Sequence, residues 1–358
     1  MPTAEYLTLK ALRAATNAAL EEFSLDEGKA LRAIGSELEP VADVMHRFLL
    51  DSGKRLRPIF ALVGYLGTGR EINPAVIQAA ASLELVHVCA LMHDDVMDAS
   101  DTRRGAPSVH RAFEAMHRQR ALAGNDEQFG ISAAILLGDL ALIWSAKMLH
   151  TSGLDIATLV RSQSVYDEMR IELMAGQYLD VYEQVLGSES VERSLKVARY
   201  KSGKYTIERP LHFGAALGSD NPAPLMDIYS HYGLPLGEAF QLRDDVLGVF
   251  GNPEETGKPA GDDLREGKRT VLLAKTMERV SPAQRSTLEA IVGKEALTAD
   301  QVDSARAIIR NTGALDELEE LISSLTHQAL TALDTPLLAP QAVESLRELT
   351  AIVTQRNT

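Results

Sequence analysis

Apolar residues recur along the chain at spacings of three and four, and strict alternation is rare, so the pattern predicts helices almost throughout. The clearest window opens at Asn73-Pro74, a capping residue followed by proline at the first helical position. From Ala75 to Asp98 neither glycine nor proline intervenes, which predicts a helix of about 37 Å. Further helical stretches are predicted over Tyr166–Leu186, despite Gly176, and over Leu234–Phe250. Turn-forming clusters place loops at 51–57, 101–108, 123–130, 218–224, 251–267 and 334–340. None resembles a long flexible linker, and no fixed-period repeat is present. The expectation is an all-α fold. At 358 residues the length allows two domains, but a single helical domain over 1–358 is the simpler reading.

Composition narrows the function more than the fold. With 36 basic and 50 acidic residues the net charge is −14, the wrong sign for a partner held by phosphate neutralisation along a duplex, so nucleic acid is not expected. A lone cysteine, Cys89, excludes an internal disulfide framework and any multi-cysteine zinc site, and fits a reducing compartment. The longest apolar run, 135–146, is interrupted by Gly138 and Asp139 and reads as too short to span a bilayer. No compact apolar leader opens the chain. The reading is of a soluble cytoplasmic protein.

Chemistry enters with two acidic clusters. The Ala75–Asp98 helix ends in Leu91-Met92-His93-Asp94-Asp95-Val96-Met97-Asp98, where Asp94 and Asp98 lie a turn apart on one face. Three carboxylates at a helix C-terminus oppose both each other and the helix dipole, so a cation should compensate them. Oxygen-only ligands suit Mg²⁺, which takes one or two carboxylates and completes its shell with water and substrate phosphate. Taken alone, this cluster reads equally well as a solvated helix end. A second Asp pair lies 150 positions later in Phe240-Gln241-Leu242-Arg243-Asp244-Asp245, with Gln241, Asp244 and Asp245 on one helical face. Two such pairs, each in an apolar setting, favour facing walls that hold metal ions between them.

Each acidic cluster is followed by a basic loop: Arg103-Arg104-Gly105 after the first, and a segment containing Lys258, Arg265, Lys268 and Arg269 after the second. A third, Gly53-Lys54-Arg55-Leu56-Arg57-Pro58, lies upstream. Arginine forks match phosphate oxygens and lysine supplies a mobile point charge. Any one of these loops alone reads as ordinary surface. All three beside the acid pairs favour a diphosphate, stacked between cations and metal-bearing carboxylates.

These blocks, with Gly176-Gln177 and Asp180, resemble the trans-isoprenyl diphosphate synthases, or polyprenyl synthetases, in family order over roughly residues 50–270. The resemblance implies an isoprenoid-synthase fold with helices around a central cavity, a homodimer, and three Mg²⁺ ions held by Asp94, Asp95 and Asp98 with Asp244 and Asp245. It implies that Arg103, Lys204, Gln241, Lys258 and Lys268 contact an allylic diphosphate, while Lys54, Arg57, His87 and Arg104 bind isopentenyl diphosphate. The implied reaction is ionisation of the allylic substrate followed by attack of the isopentenyl double bond. Two departures stand out. Gly248 occupies the place where many members carry a third Asp, and Lys204 is followed by Tyr205-Thr206, which leaves the roles of Tyr205 and Thr206 open.

Product length is expected to depend on the floor of a tunnel running back along the Asp94 helix. Cys89 and Ala90, five and four positions before Asp94, are small and set no floor at that turn, which favours the twenty-carbon geranylgeranyl diphosphate over shorter products. Longer polyprenyl products are the main alternative. A class I terpene cyclase shares the first motif but has no need of an isopentenyl site, and a non-catalytic subunit of a heteromeric synthase would not need the intact Asp94–Arg104 block.

Overall fold

The computed structural model describes residues 8–51, 53–187, 189–252, 261–294 and 296–355. In chain order the helices are α1 (Leu9–Ile34), α2 (Glu39–Leu50), α3 (Leu56–Leu66), α4 (Pro74–Met97), α5 (Val109–Gln119), α6 (Asp126–His150), α7 (Ile156–Leu186) and α8 (Val191–Val197). A π-helical segment, Ala198–Glu208, leads into α9 (Arg209–Gly218) and α10 (Ala223–Phe250). The remainder is α11 (Asp262–Glu266), α12 (Val271–Met277), α13 (Pro282–Ile291), α14 (Ala299–Asn311), α15 (Ala314–Ala332) and α16 (Pro340–Thr354). Among the described residues the only strands are β1 (Thr102–Arg103) and β2 (Ala106–Pro107), a two-residue hairpin inside a predicted loop. The all-α expectation holds.

Local chemistry explains where the helices start. Asn73 caps α4 by accepting from the Val76 amide at 3.1 Å, with Pro74 at the first position, and Asn125 caps α6 by accepting from Gln128 at 2.7 Å. Ser281 and Thr298 form complete capping boxes with Gln284 and Gln301 at the heads of α13 and α14. Two boundaries differ from the sequence reading. α7 begins ten residues before Tyr166, at Ile156, and α10 begins at Ala223, with Pro235 inside the helix rather than near its start.

The chain divides into two compact units. The first comprises Met1–Tyr166, Pro210–Leu225 and Leu337–Ser345; the second comprises Asp167–Arg209, Met226–Pro336 and Leu346–Thr358. In the first, α4 packs along α6, α5 lies on α6, and α1 covers α2 and α4. Leu85, Val88, Cys89 and Met92 of α4 meet Leu137, Ala141 and Trp144 of α6 in one buried cluster. In the second, Leu242, Val246 and Val249 of α10 form a core with Val271, Leu272, Leu288, Ile309, Leu318 and Ile322. The π-helical segment lies close against α10, since a Cβ on Gly237 would come within 2.6 Å of Gly203 Cα. Glycine at both positions is what permits that approach.

The membrane expectation needs amendment. α4 and α6 are both long and apolar enough to cross a bilayer, because α6 continues through Gly138 and Asp139. Burial in the core shared with α6 accounts for the apolarity of α4, whose apolar window is 72% buried, whereas that of α6 is 39% buried and leaves apolar side chains exposed.

Candidate active site

In the first unit, α4 fixes a line of side chains at helical spacing: Glu84, His87, Leu91, Asp94 and Asp98. Glu84 is buried, His87 and Asp94 are half-buried, and Asp98 caps the helix end. Asp95 turns the other way and is fully buried. The cation that this helix end requires comes from the following hairpin. Arg103 donates from Nε to Asp95 Oδ1 at 2.8 Å, pairs with the same oxygen through Nη2, and places Nη2 3.7 Å from Asp94. The hairpin turn is Arg104-Gly105, both left-handed at φ 53° and 76°, as a tight two-residue turn demands. It folds Arg104 back so that Nη1 donates to Asp51 O at 2.9 Å, with its guanidinium over the Phe48 ring.

His87 sits at the focus of this arrangement. Burial pushes its pKa well below the ordinary histidine value, and the positive charges of Arg57, Arg104, Arg103 and Arg55 push the same way. His87 thus lies within electrostatic reach of Arg57, Arg104 and Arg103, while Lys54, next to the buried Gly53 and Arg55, is exposed. A neutral imidazole within electrostatic reach of several guanidinium groups is a setting that favours an anion. A bound phosphate would relieve the mutual repulsion of those groups and favour protonation of His87.

The predicted chain-length residues separate. Cys89 is fully buried in the core facing α6, with Sγ 3.8 Å from His93 Nδ1, and burial together with Asp139 pushes its thiol up to about 12. Ala90 is half-exposed, one turn before Asp94 on the same face.

In the second unit, α10 repeats the logic of α4. Asp244 is half-buried and Asp245 is 4% exposed. Asp245 accepts from Gln241 Nε2 at 2.9 Å and from the Val271 amide at 3.2 Å. Burial pushes its pKa up to about 8; the Gln241 bond opposes that rise and nearby Asp263 adds to it. The first aspartate of each pair thus reaches a surface while the second anchors a neighbour.

Gly248 also acquires a reason: any Cβ there would collide with the carboxylate of Asp263, on α11. The carboxylate of Asp263 thus occupies the space beside the bare glycine. Lys204, on the π-helical segment, pairs with Glu172 of α7, which also takes two bonds from Arg209 at 2.6 and 2.7 Å. Burial raises the Glu172 pKa, but these cationic donors outweigh it and the net shift is downward. Lys201 reaches Asp180 at 2.5 Å. Tyr205 and Thr206 are buried. Lys268 pairs with Glu266 and lies 3.9 Å from Asp263. Lys258 lies outside the described residues.

Among the described residues no three acidic, histidine or cysteine side chains enclose a cation by themselves. The donor sets nevertheless fit Mg²⁺ completed by substrate oxygens: carboxylates only, one or two per helix end, with Asp94 and Asp244 at the surface. Sequence reasoning missed Glu84, Glu172, Arg209 and Asp263. Glu84 had a signal, being the one charged residue of the apolar run Pro74–Met92.

A model of the polyprenyl synthetases matches residues 39–309. The chain belongs to the polyprenyl synthetase family. It is a prenyltransferase that elongates isoprenoid chains. It is similar to a Corynebacterium glutamicum geranylgeranyl pyrophosphate synthase solved with isoprenyl diphosphate and magnesium, at 43% identity and a TM-score of 0.94 over 98% of this chain and 100% of that one. It is 33% identical to a geranylfarnesyl diphosphate synthase from Aeropyrum pernix, over 85% of this chain and 90% of the relative. A geranylgeranyl diphosphate synthase from Mycobacterium tuberculosis is 29% identical over 91% of both chains.

For this prenyltransferase the state of His87 has a thermodynamic consequence. Its folded pKa lies below the unfolded value, so as pH falls below about 6.5 the unfolded chain takes up a proton that the folded chain refuses, and stability is lost. Urea unfolding from pH 7.5 to 5.5 should show the wild type losing up to about 1.4 kcal/mol more per pH unit below 6.5 than His87→Gln. Parallel pH curves for the two proteins would contradict a buried neutral His87.

Proposed function

We propose that this chain joins isopentenyl diphosphate to an allylic diphosphate with Mg²⁺ and makes the twenty-carbon geranylgeranyl diphosphate. The observation that supports it best is Arg103 held by Asp95 and 3.7 Å from Asp94 at the end of α4, in a protein of net charge −14. Lys54, Arg57, His87 and Arg104 bind isopentenyl diphosphate. Arg103, Lys204, Gln241, Lys258 and Lys268 contact the allylic diphosphate. Asp94, Asp95 and Asp98 with Asp244 and Asp245 serve three Mg²⁺ ions, with Asp94, Asp98 and Asp244 in contact and the buried Asp95 and Asp245 orienting Arg103 and Gln241. Bound Mg²⁺ withdraws negative charge from the departing diphosphate. Arg103 and Lys204 add fixed positive charge at the same oxygens, so the allylic C–O bond breaks without a nucleophilic side chain. The isopentenyl double bond then forms the new C–C bond and a proton leaves to diphosphate.

The twenty-carbon assignment is supported by two relatives named as geranylgeranyl synthases and by the small Ala90; the geranylfarnesyl name of a third keeps a longer product as the alternative. The enzyme acts as a homodimer in the cytoplasm. On α6, Phe129, Leu136 and Ile143 recur every seven residues at 37, 65 and 64% exposure, an apolar stripe that a second copy would cover.

Purified protein given labelled isopentenyl diphosphate, each allylic primer and Mg²⁺ should yield a linear product dependent on both substrates, whereas a cyclic hydrocarbon formed without isopentenyl diphosphate would establish a terpene cyclase instead. Asp94→Ala and Asp244→Ala should each lower kcat by roughly 10²–10³-fold with the fold retained; near-normal turnover in either would remove it from the metal site. Ala90→Phe should shorten the product, while Cys89→Phe, overfilling a packed core, should lower the unfolding midpoint instead; chromatography of the products beside a thermal melt distinguishes them. Leu136→Glu combined with Ile143→Glu should turn a dimer into a monomer by sedimentation, and an unchanged mass would place the interface elsewhere.

A further inference from the structure

Between Lys54 and Arg57 lies a third cation that the proposed chemistry does not use. Arg55 is 2% exposed and its backbone is left-handed, at φ 55° and ψ 33°, a conformation unusual for a residue with a side chain. Its guanidinium is held from three helices of the first unit. Nε donates to Asn17 Oδ1 of α1 at 2.8 Å, Nη1 to Glu84 Oε1 of α4 at 2.7 Å, and Nη2 to Leu49 O of α2 at 2.6 Å. A Cβ at Gly53 would come within 2.7 Å of Arg55 Nη1 and 3.1 Å of Glu84 Oε1, so the clamp leaves no room for a side chain there.

We propose that Arg55, clamped by Glu84 and Asn17, is the positioning residue of the isopentenyl diphosphate site: it sets where Lys54 and Arg57 present their charge. The proposal rests on the reading of Lys54, Arg57, His87 and Arg104 as that site. With Arg55 turned in, Lys54 turns out to solvent and Arg57 stands half-buried at the head of α3. Glu84 lies one turn before His87 on α4, so the helix that fixes His87 and Asp94 also fixes the loop. Only an arginine fork sends three donors in three directions from one point. Lysine at 55 would keep the charge and lose the alignment. Asn17 draws α1 into the arrangement, although α1 precedes the 39–309 stretch matched by the family model.

The test uses full-length protein, with steady-state kinetics in each substrate separately and calorimetric titration of isopentenyl diphosphate alone. Arg55→Lys and Asn17→Ala should raise KM for isopentenyl diphosphate and its dissociation constant about 10-fold, the scale of a lost hydrogen bond to a charged group. The KM for the allylic primer and kcat should stay within about twofold of the wild type. Glu84→Gln, which keeps an acceptor for Nη1, should be milder than Arg55→Lys. Asn17 is half-buried on a helix, so Asn17→Ala remains informative if the Arg55 or Glu84 variants fail to fold. The proposal is overturned if both KM values rise together, if kcat alone falls, or if Lys54→Ala weakens isopentenyl diphosphate binding while Arg55→Lys and Asn17→Ala do not. A wild type that neither binds nor consumes isopentenyl diphosphate would overturn the site reading itself, and the clamp with it.

Discussion

Cations meant for an anionic ligand repel one another until the ligand arrives, and a folded chain must hold them in place meanwhile. Here carboxylates do the holding, most of them buried: Asp95 grips Arg103, Glu84 grips Arg55, Glu172 grips Lys204 together with Arg209, and the half-buried Asp180 grips Lys201. An excess of acidic over basic residues is thus compatible with an enzyme whose substrates are diphosphates. Part of the acidity is internal scaffolding for the basic side chains, and its sign says little about the ligand.

These pairs contribute positional order more than net stability. A buried ion pair gains little over an apolar pair of the same volume, yet removing one partner costs about 3–5 kcal/mol because the other charge is stranded. A site built this way resists drift: Arg103 cannot wander while Asp95 is ionised, and Asp95 is enclosed on all sides. The same logic orders each aspartate pair. One member, Asp94 or Asp244, is half-buried, and its neighbour, Asp95 or Asp245, is buried and holds Arg103 or Gln241.

Much of this was legible in the sequence. The α4 cap, the helix through Met97 and the spacing of Asp94, Asp98 and His87 follow from local rules that the tertiary structure does not override. What escaped depended on contacts distant in sequence. The sequence reading began this helix at Leu234, but α10 starts at Ala223 and carries Pro235 in mid-helix, one turn after Tyr232, whose hydroxyl donates to Leu346 O at 2.9 Å. Cys89 and Ala90 looked equivalent because they are adjacent and both small. On a helix that is a 100° turn, enough to send Cys89 into the α6 contact and leave Ala90 beside Asp94.

Gly248 is the most instructive of these cases. Judged along α10 alone, the missing aspartate weakens the second metal motif. In three dimensions the vacancy is filled from α11, where Asp263 places its carboxylate against the bare glycine and within electrostatic reach of Asp245. A side chain at 248 would require Asp263 to move, so the conformation of Asp263 depends on the bare glycine. The placement of Asp263 depends on α11 remaining folded against α10 through Leu264, which shares the core with Val246 and Val249. Apolar packing remote from the carboxylates thereby sets where a charged side chain stands relative to Asp245.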